Sequence, residues 1–167
     1  MNIISEILLA EDEETDVFLL RRAFKDAGVS PTLQVCGDGQ AAMEFLQKRC
    51  LADDDRLPSL VVLDLKMPRR TGIDVVEWMR KQPALRCVPA LIFTSSARRE
   101  DVERAYSAGA NAFVVKPAAT AQRAEIARFF HDWMRLSQAP LAVTEGFKAA
   151  AAVHATGIFL GSPESNS

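Results

Sequence analysis

The sequence predicts an α/β protein with a doubly wound parallel sheet. Three observations support this prediction. Short, continuously apolar segments recur along the chain, and segments with helical spacing of apolar residues separate them. Such runs are typical of parallel strands that are buried on both faces. In addition, four of the runs stop at a residue that carries a carboxylate, hydroxyl or ammonium group.

The alternation of strand and helix occurs five times in the chain. Strands are predicted at 6–10, 32–36, 60–63, 90–93 and 112–115. Helices are predicted over about 17–27, from 38 to before a loop at 50–58, and over about 73–81, 99–108 and 121–137. This alternation places helices on both faces of a parallel sheet, and right-handed crossovers restrict the strand order. We predict the flavodoxin-like order 2-1-3-4-5.

Local signals define the helix ends. Gly28 stops the first helix and Gly109 the fourth, because glycine is favoured just past a helix C-terminus. Pro83 lies near the end of the third helix, and Pro140 follows the fifth. We therefore expect one domain over residues 1–137 and a C-terminal extension over 138–167.

Composition excludes several classes of function. The chain has 167 residues, of which 49% are hydrophobic and 25% charged, with a net charge of −2. There is no basic excess of the kind that nucleic-acid binding requires. No apolar stretch approaches the roughly 20 residues of a membrane span. The N-terminus lacks the pattern of a signal peptide, so we expect a cytoplasmic protein with no membrane partner.

Polar residues follow four of the predicted strands. Glu11 and Asp12 follow the first strand, Asp64 the third, Thr94 the fourth and Lys116 the fifth. In open parallel sheets, ligands bind in the crevice at the carboxyl ends of the strands. We therefore expect three carboxylates, one hydroxyl and one ammonium group to lie together.

These groups suit a divalent cation and a phosphoryl group. Two carboxylates 4 Å apart repel by about 4 kcal/mol at an effective dielectric near 20, so the cluster needs a cation or a raised pKa. Oxygen ligands without His or Cys favour Mg²⁺ over zinc. An aspartate in such a site can attack phosphorus, while Lys116 and Thr94 can contact phosphoryl oxygens. Each residue alone is more typical of a helix cap or strand end than of a functional site, but chance does not readily place all of them together at the carboxyl ends of adjacent strands.

The motifs around these residues resemble a known family. They are Glu11-Asp12, Asp64-Leu65-Lys66-Met67-Pro68, Gly72, Thr94-Ser95-Ser96-Ala97 and Phe113-Val114-Val115-Lys116-Pro117. In this set and order, over about residues 5–137, the sequence resembles the receiver domain of two-component response regulators.

The resemblance implies a phosphoacceptor protein and not a metabolic enzyme. Asp64 would accept a phosphoryl group from a phosphohistidine on a sensor histidine kinase. Mg²⁺ would be held by Asp12, Asp64 and the backbone carbonyl of Lys66, with Glu11 assisting through water.

The resemblance also implies a switch. Thr94 and Lys116 would contact the phosphoryl group, and Thr94 would move toward Asp64. Phe113 holds the family's aromatic switch position, three residues before the lysine. The bond between Lys116 and Pro117 would be cis, which is inexpensive only before proline.

Other interpretations remain open. Residues 37–42 match the pattern G-x-G-x-x-A after a strand, and Asp64 follows about twenty residues later, as in dinucleotide-binding proteins. A small Mg²⁺-dependent aspartyl-phosphate phosphatase would use a similar nucleophile, but it usually has a second Asp two residues later, where this chain has Lys66. A receiver that has lost its chemistry is the third alternative.

The fifth helix and the extension suggest assembly. Apolar residues cover about half of the helix circumference, among them Phe130, Trp133 and Met134. We expect a homodimer through this helix and an arm that includes Leu141 and Phe147, followed by a disordered end. The segment 133–141 resembles the end of single-domain regulators that serve bacterial phytochromes, which implies a bacteriophytochrome as the kinase. No DNA-binding domain is apparent, so we expect output by protein contact.

Overall fold

Strands and helices alternate along the chain in the computed structural model, which describes residues 6–51 and 57–136. The strands are β1 (Glu6–Ala10), β2 (Thr32–Cys36), β3 (Leu60–Leu63), β4 (Ala90–Thr94) and β5 (Ala112–Val115). The helices are α1 (Glu14–Asp26), α2 (Gly39–Leu51), α3 (Gly72–Lys81), α4 (Arg99–Ser107) and α5 (Thr120–Leu136). The predicted elements are all present. The main difference is that α2 continues into the segment predicted as a loop.

The five strands form one parallel sheet in the order β2-β1-β3-β4-β5, which confirms the predicted topology. In the register of this sheet, Ala10 at the end of β1 lies opposite Leu63 at the end of β3. The central strand β3 is buried along its whole length. Burial on both faces explains why its sequence is continuously apolar and not alternating.

The core has two parts, one on each face of the sheet. Alternate residues of β1 point to opposite faces. Leu8 and Ala10 therefore pack with α2 and α3, whereas Ile7 and Leu9 pack with α1 and α5. Within the described residues, no helix is long and apolar enough to cross a membrane.

Helix α5 contributes more to the core than the sequence suggested. Phe130 is fully buried, with its ring 5.7 Å from that of Phe93 and 6.5 Å from that of Phe24. Met134 is buried in the same cluster, and Trp133 packs against it while half-buried. The prediction that Phe130 and Met134 lie on a dimer surface is therefore wrong. The apolar face of α5 is wide because α5 packs against both the sheet and α1.

Other apolar residues of α5 do reach the surface. Phe129 is 40% exposed and Leu136 is 70% exposed. Leu141 and Phe147, which were assigned to the dimerisation arm, lie outside the described residues.

Candidate functional site

The backbone pairing of the sheet assembles the site. The amide of Asp64 donates to the carbonyl of Ala10 at 2.9 Å, which places Asp64 beside Glu11. The amide of Lys116 donates to the carbonyl of Thr94 at 2.8 Å, which extends the pairing of β4 and β5. Four of the predicted site residues therefore lie together at the carboxyl ends of the strands, because each directly follows or ends a paired strand: Glu11, Asp64, Thr94 and Lys116.

Three carboxylates form a compact cluster. Oxygen atoms of Glu11, Asp12 and Asp64 lie within 4.8 Å of one another. Glu11 and Asp64 are buried, whereas Asp12 is exposed. Oxygen-only donors at this spacing fit a hard divalent cation such as Mg²⁺ or Mn²⁺. The backbone amide of Lys66 donates to Asp64 Oδ2 at 3.3 Å. Lys66, whose backbone carbonyl is a predicted cation ligand, therefore lies next to the cluster.

Lys116 lies among carboxylates. Its Nζ atom is 2.6 Å from Glu11 Oε2, 2.8 Å from Asp16 Oδ2 and 3.4 Å from Asp64 Oδ1. Sequence reasoning did not single out Asp16, which lies in the first turn of α1. Its position five residues after Glu11, on the helix that leaves the site, was the available signal. Lys116 thus joins two of the clustered carboxylates to α1.

Burial and neighbouring charges shift the pKa values of Glu11 and Lys116. Burial raises the pKa of Glu11 above its ordinary value, although the hydrogen bond and charge of Lys116 oppose the shift. Burial lowers the pKa of Lys116, but hydrogen bonds to Asp16 and Glu11 and the charges of Asp64 and Glu11 outweigh it, so this pKa ends above its ordinary value. Lys116 therefore remains a cation, able to attract an anionic group on Asp64.

Thr94 is buried at the end of β4. Its Oγ1 accepts a hydrogen bond from the amide of Ser96 at 3.3 Å. A hydroxyl that accepts a bond still has its own hydrogen to donate. Ser96 is itself held, because its Oγ donates to Asp101 Oδ2 at 2.6 Å. Thr94 can therefore donate its hydroxyl hydrogen to a neighbouring group. Its position is fixed by β4 and by the turn into α4.

Phe113 is half-buried on β5 and packs against the core next to α3 and α4. Its amide donates to the hydroxyl of Tyr106 at 3.3 Å, and the Tyr106 side chain is about half exposed on α4. The switch role of Phe113 remains a prediction. No peptide bond among the described residues is cis, so the bond from Lys116 to Pro117 is trans, contrary to the resemblance-based expectation.

The start of α3 supports the backbone of Asp64. A Cβ atom on Gly72 would lie 2.3 Å from the Asp64 carbonyl oxygen, so only glycine fits there without movement. Thr71 and Asp74 form a capping box, with bonds of 3.2 and 2.9 Å between side chains and amides. The loop between Asp64 and α3 is therefore held at its end by the capped start of α3, where Gly72 packs against the Asp64 backbone.

The glycine-rich segment before α2 has a structural explanation. A Cβ atom on Gly39 would lie 2.3 Å from the Arg70 carbonyl oxygen, so α2 begins in close contact with the loop after Asp64. Asp38 accepts from the amide of Ala41 at 2.8 Å and forms an ion pair with Arg69. Because a buried carboxylate already occupies this helix N-terminus, the segment does not offer the anion site that a dinucleotide needs.

Comparisons with known proteins agree with this architecture. The family described as "Response regulator receiver domain" matches residues 7–128. Response regulator Rcp1 of Synechocystis is 32% identical over 110 residues, covering 66% of this chain and 75% of Rcp1. A response regulator in red light signaling of R. palustris has a solved structure that is 33% identical, with a TM-score of 0.74, covering 83% of this chain and 99% of that one.

A cation-bound structure is also among the similar proteins. The Mn²⁺-bound form of Rcp1 is 27% identical, with a TM-score of 0.70, covering 81% of this chain and 99% of that one. The acidic cluster of the present chain is compatible with a divalent cation of this kind. The match over residues 7–128, together with the fold, shows that the chain belongs to the response regulator receiver domain family.

Proposed function

We propose that the protein is a response regulator that accepts a phosphoryl group on Asp64 from a sensor histidine kinase in a Mg²⁺-dependent reaction. One observation carries the proposal. Asp64 belongs to a compact three-carboxylate cluster and also lies 3.4 Å from the ammonium group of Lys116. A nucleophilic carboxylate with a cation site and a fixed positive charge is the arrangement that phosphoryl transfer requires.

The transfer exchanges one bond to phosphorus for another. An oxygen of Asp64 attacks the phosphorus of a phosphohistidine, and the new O–P bond forms as the P–N bond breaks. The electron pair of that bond stays on the imidazole nitrogen. Lys116 attracts a phosphoryl oxygen, and Thr94 donates its hydroxyl hydrogen to another. Mg²⁺ held by Asp12, Asp64 and the Lys66 carbonyl, with Glu11 assisting through water, would neutralise the negative charge that accumulates.

We place the protein in cytoplasmic light signalling, with a bacteriophytochrome-type kinase as its partner. The similarity to the R. palustris response regulator in red light signaling supports this assignment. The signal would leave by protein contact through α4, β5 and α5. Tyr106 and Val115 on this face are 51% and 43% exposed. The protein would catalyse no reaction besides its own phosphorylation and dephosphorylation.

A direct labelling experiment tests this function. The purified full chain is incubated with radiolabelled acetyl phosphate, with Mg²⁺ or with EDTA. We expect label that requires the cation and is released by hydroxylamine, as an acyl phosphate would be. Label that forms equally in EDTA, or that survives hydroxylamine, contradicts the proposal. The same assay with a phosphorylated bacteriophytochrome tests the proposed kinase.

We also propose a homodimer, formed through the exposed side of α5 and the extension that contains Leu141 and Phe147. Phe129 and Leu136 supply apolar surface on α5 for such contact. Sedimentation of the full chain should give a dimer, and a variant that ends at Gln138 should give a monomer. A dimer that survives this truncation would exclude the extension from the interface.

A further inference from the structure

Asp16 contacts Lys116, although Asp16 is neither the proposed phosphoryl acceptor nor one of the three clustered carboxylates. Its Oδ2 atom lies 2.8 Å from Nζ of Lys116, closer than the 3.4 Å that separates Lys116 from Asp64. The Lys116 side chain is 12% exposed and that of Asp16 is 33% exposed. Asp16 is anchored in the first turn of α1, where a negative charge is favourable. Asp16 therefore has a fixed position from which to act on Lys116.

Asp16 lies outside the acidic cluster. Among the described residues, the carboxylates close enough to share a cation are those of Glu11, Asp12 and Asp64. Two of these, Glu11 and Asp64, are also partners of Lys116. A divalent cation bound there would compete with Lys116 for the same two carboxylates and would repel its ammonium group. Asp16 does not belong to this cluster, so its contact with Lys116 can persist when the cation binds.

We propose that Asp16 is a positioning residue for Lys116. It holds the ammonium group within reach of Asp64 when the carboxylate cluster binds a cation, so that Lys116 is ready to receive an oxygen of the incoming phosphoryl group. This inference rests on the proposed function, since it assigns a role within the same transfer. It adds α1 to the elements that set the geometry of the reaction.

The test compares Asp16→Asn with Glu14→Gln. Both variants remove one negative charge from the first turn of α1, but Glu14 is exposed and Lys116 has Glu11, Asp16 and Asp64 as its carboxylate partners. With acetyl phosphate and saturating Mg²⁺, we expect labelling of Asp16→Asn to slow roughly tenfold, as for other supporting contacts at metal sites. Glu14→Gln should stay within about twofold of the unmodified protein, since exposed charges contribute little. Asp16→Glu should recover part of the rate.

A second measurement does not depend on phosphorylation. At neutral pH with Mg²⁺ present, the NMR chemical shifts of the Lys116 ammonium group should change in Asp16→Asn and not in Glu14→Gln, because only the first variant removes a direct contact of that group. Full-rate labelling of Asp16→Asn, or equal slowing of both variants, would overturn the positioning role. If the unmodified protein takes no label, the proposed function fails instead, and the chemical shifts of the Lys116 ammonium group alone decide whether Asp16 holds Lys116.

Discussion

Replacing Asp64 by asparagine is expected to abolish phosphoryl uptake. An amide is not a nucleophile toward phosphorus, so we expect the labelling rate to fall by at least about a hundredfold. The fold should survive the change. Asp64 is one of the charges that raise the pKa of the buried Glu11, so removing its charge relieves a repulsion. We expect labelling to be lost without a decrease in the free energy of unfolding, measured by urea denaturation without added metal.

Asp12→Asn is the matched control. It makes the same chemical change in the same carboxylate cluster but retains the proposed nucleophile. This variant should bind Mg²⁺ more weakly, and excess Mg²⁺ should restore its labelling. If Asp64→Asn keeps its label, the assignment of the acceptor is wrong. If both variants lose labelling and excess Mg²⁺ restores neither, then the assignment of Asp64 as the nucleophile and Asp12 as only a cation ligand is wrong.

Replacing Phe130 by alanine is expected to cause the largest loss of stability. The side chain is fully buried and its ring contacts those of Phe24 and Phe93. Truncating a buried phenylalanine costs about 3–5 kcal/mol, a large part of the 5–15 kcal/mol that stabilises a typical domain. The free energy of unfolding from urea titration, at one fixed protein concentration, measures the loss. If the alanine variant does not fold, Phe130→Leu should still show a smaller decrease.

Phe129→Ala provides a neighbouring control. Phe129 is 40% exposed, and its ring lies 5.8 Å from each of those of Phe130 and Trp133. We expect this variant to lose about 1 kcal/mol, from partial burial and ring contacts. Equal losses for the two variants would contradict the assignment of Phe130 to the core and would reopen its role in the dimer.

The fold and the main site could be predicted because their signals are local. Four of the five strands contain a short apolar run, and site residues such as Asp64 and Lys116 follow such a run directly at its carboxyl end. Once strands β1 and β3 are neighbours, the pairing of Ala10 with Leu63 determines that Glu11 and Asp64 meet. Strand order and local sequence together therefore placed this pair without any knowledge of side-chain packing.

The remaining features depend on contacts between distant elements. The sequence could not show that Asp16 reaches Lys116, because the two are 100 residues apart and one of them lies on a helix. The burial of Phe130 was missed for a related reason: helical periodicity shows how wide an apolar face is, but not that α1 covers part of it. The glycine pattern at residues 37–42 resembled that of a dinucleotide-binding protein, and only the structure shows that Gly39 is needed for a close contact with the Arg70 backbone.

The position of the phosphoryl group tests the central claim most directly. The protein is phosphorylated with acetyl phosphate and Mg²⁺, treated with sodium borohydride, digested and analysed by mass spectrometry. Borohydride reduces an aspartyl phosphate to homoserine, which marks the acceptor covalently. We predict homoserine at position 64 and only in samples that received both the donor and Mg²⁺. Homoserine at another aspartate, or phosphate retained on a serine, threonine or histidine, would contradict the account.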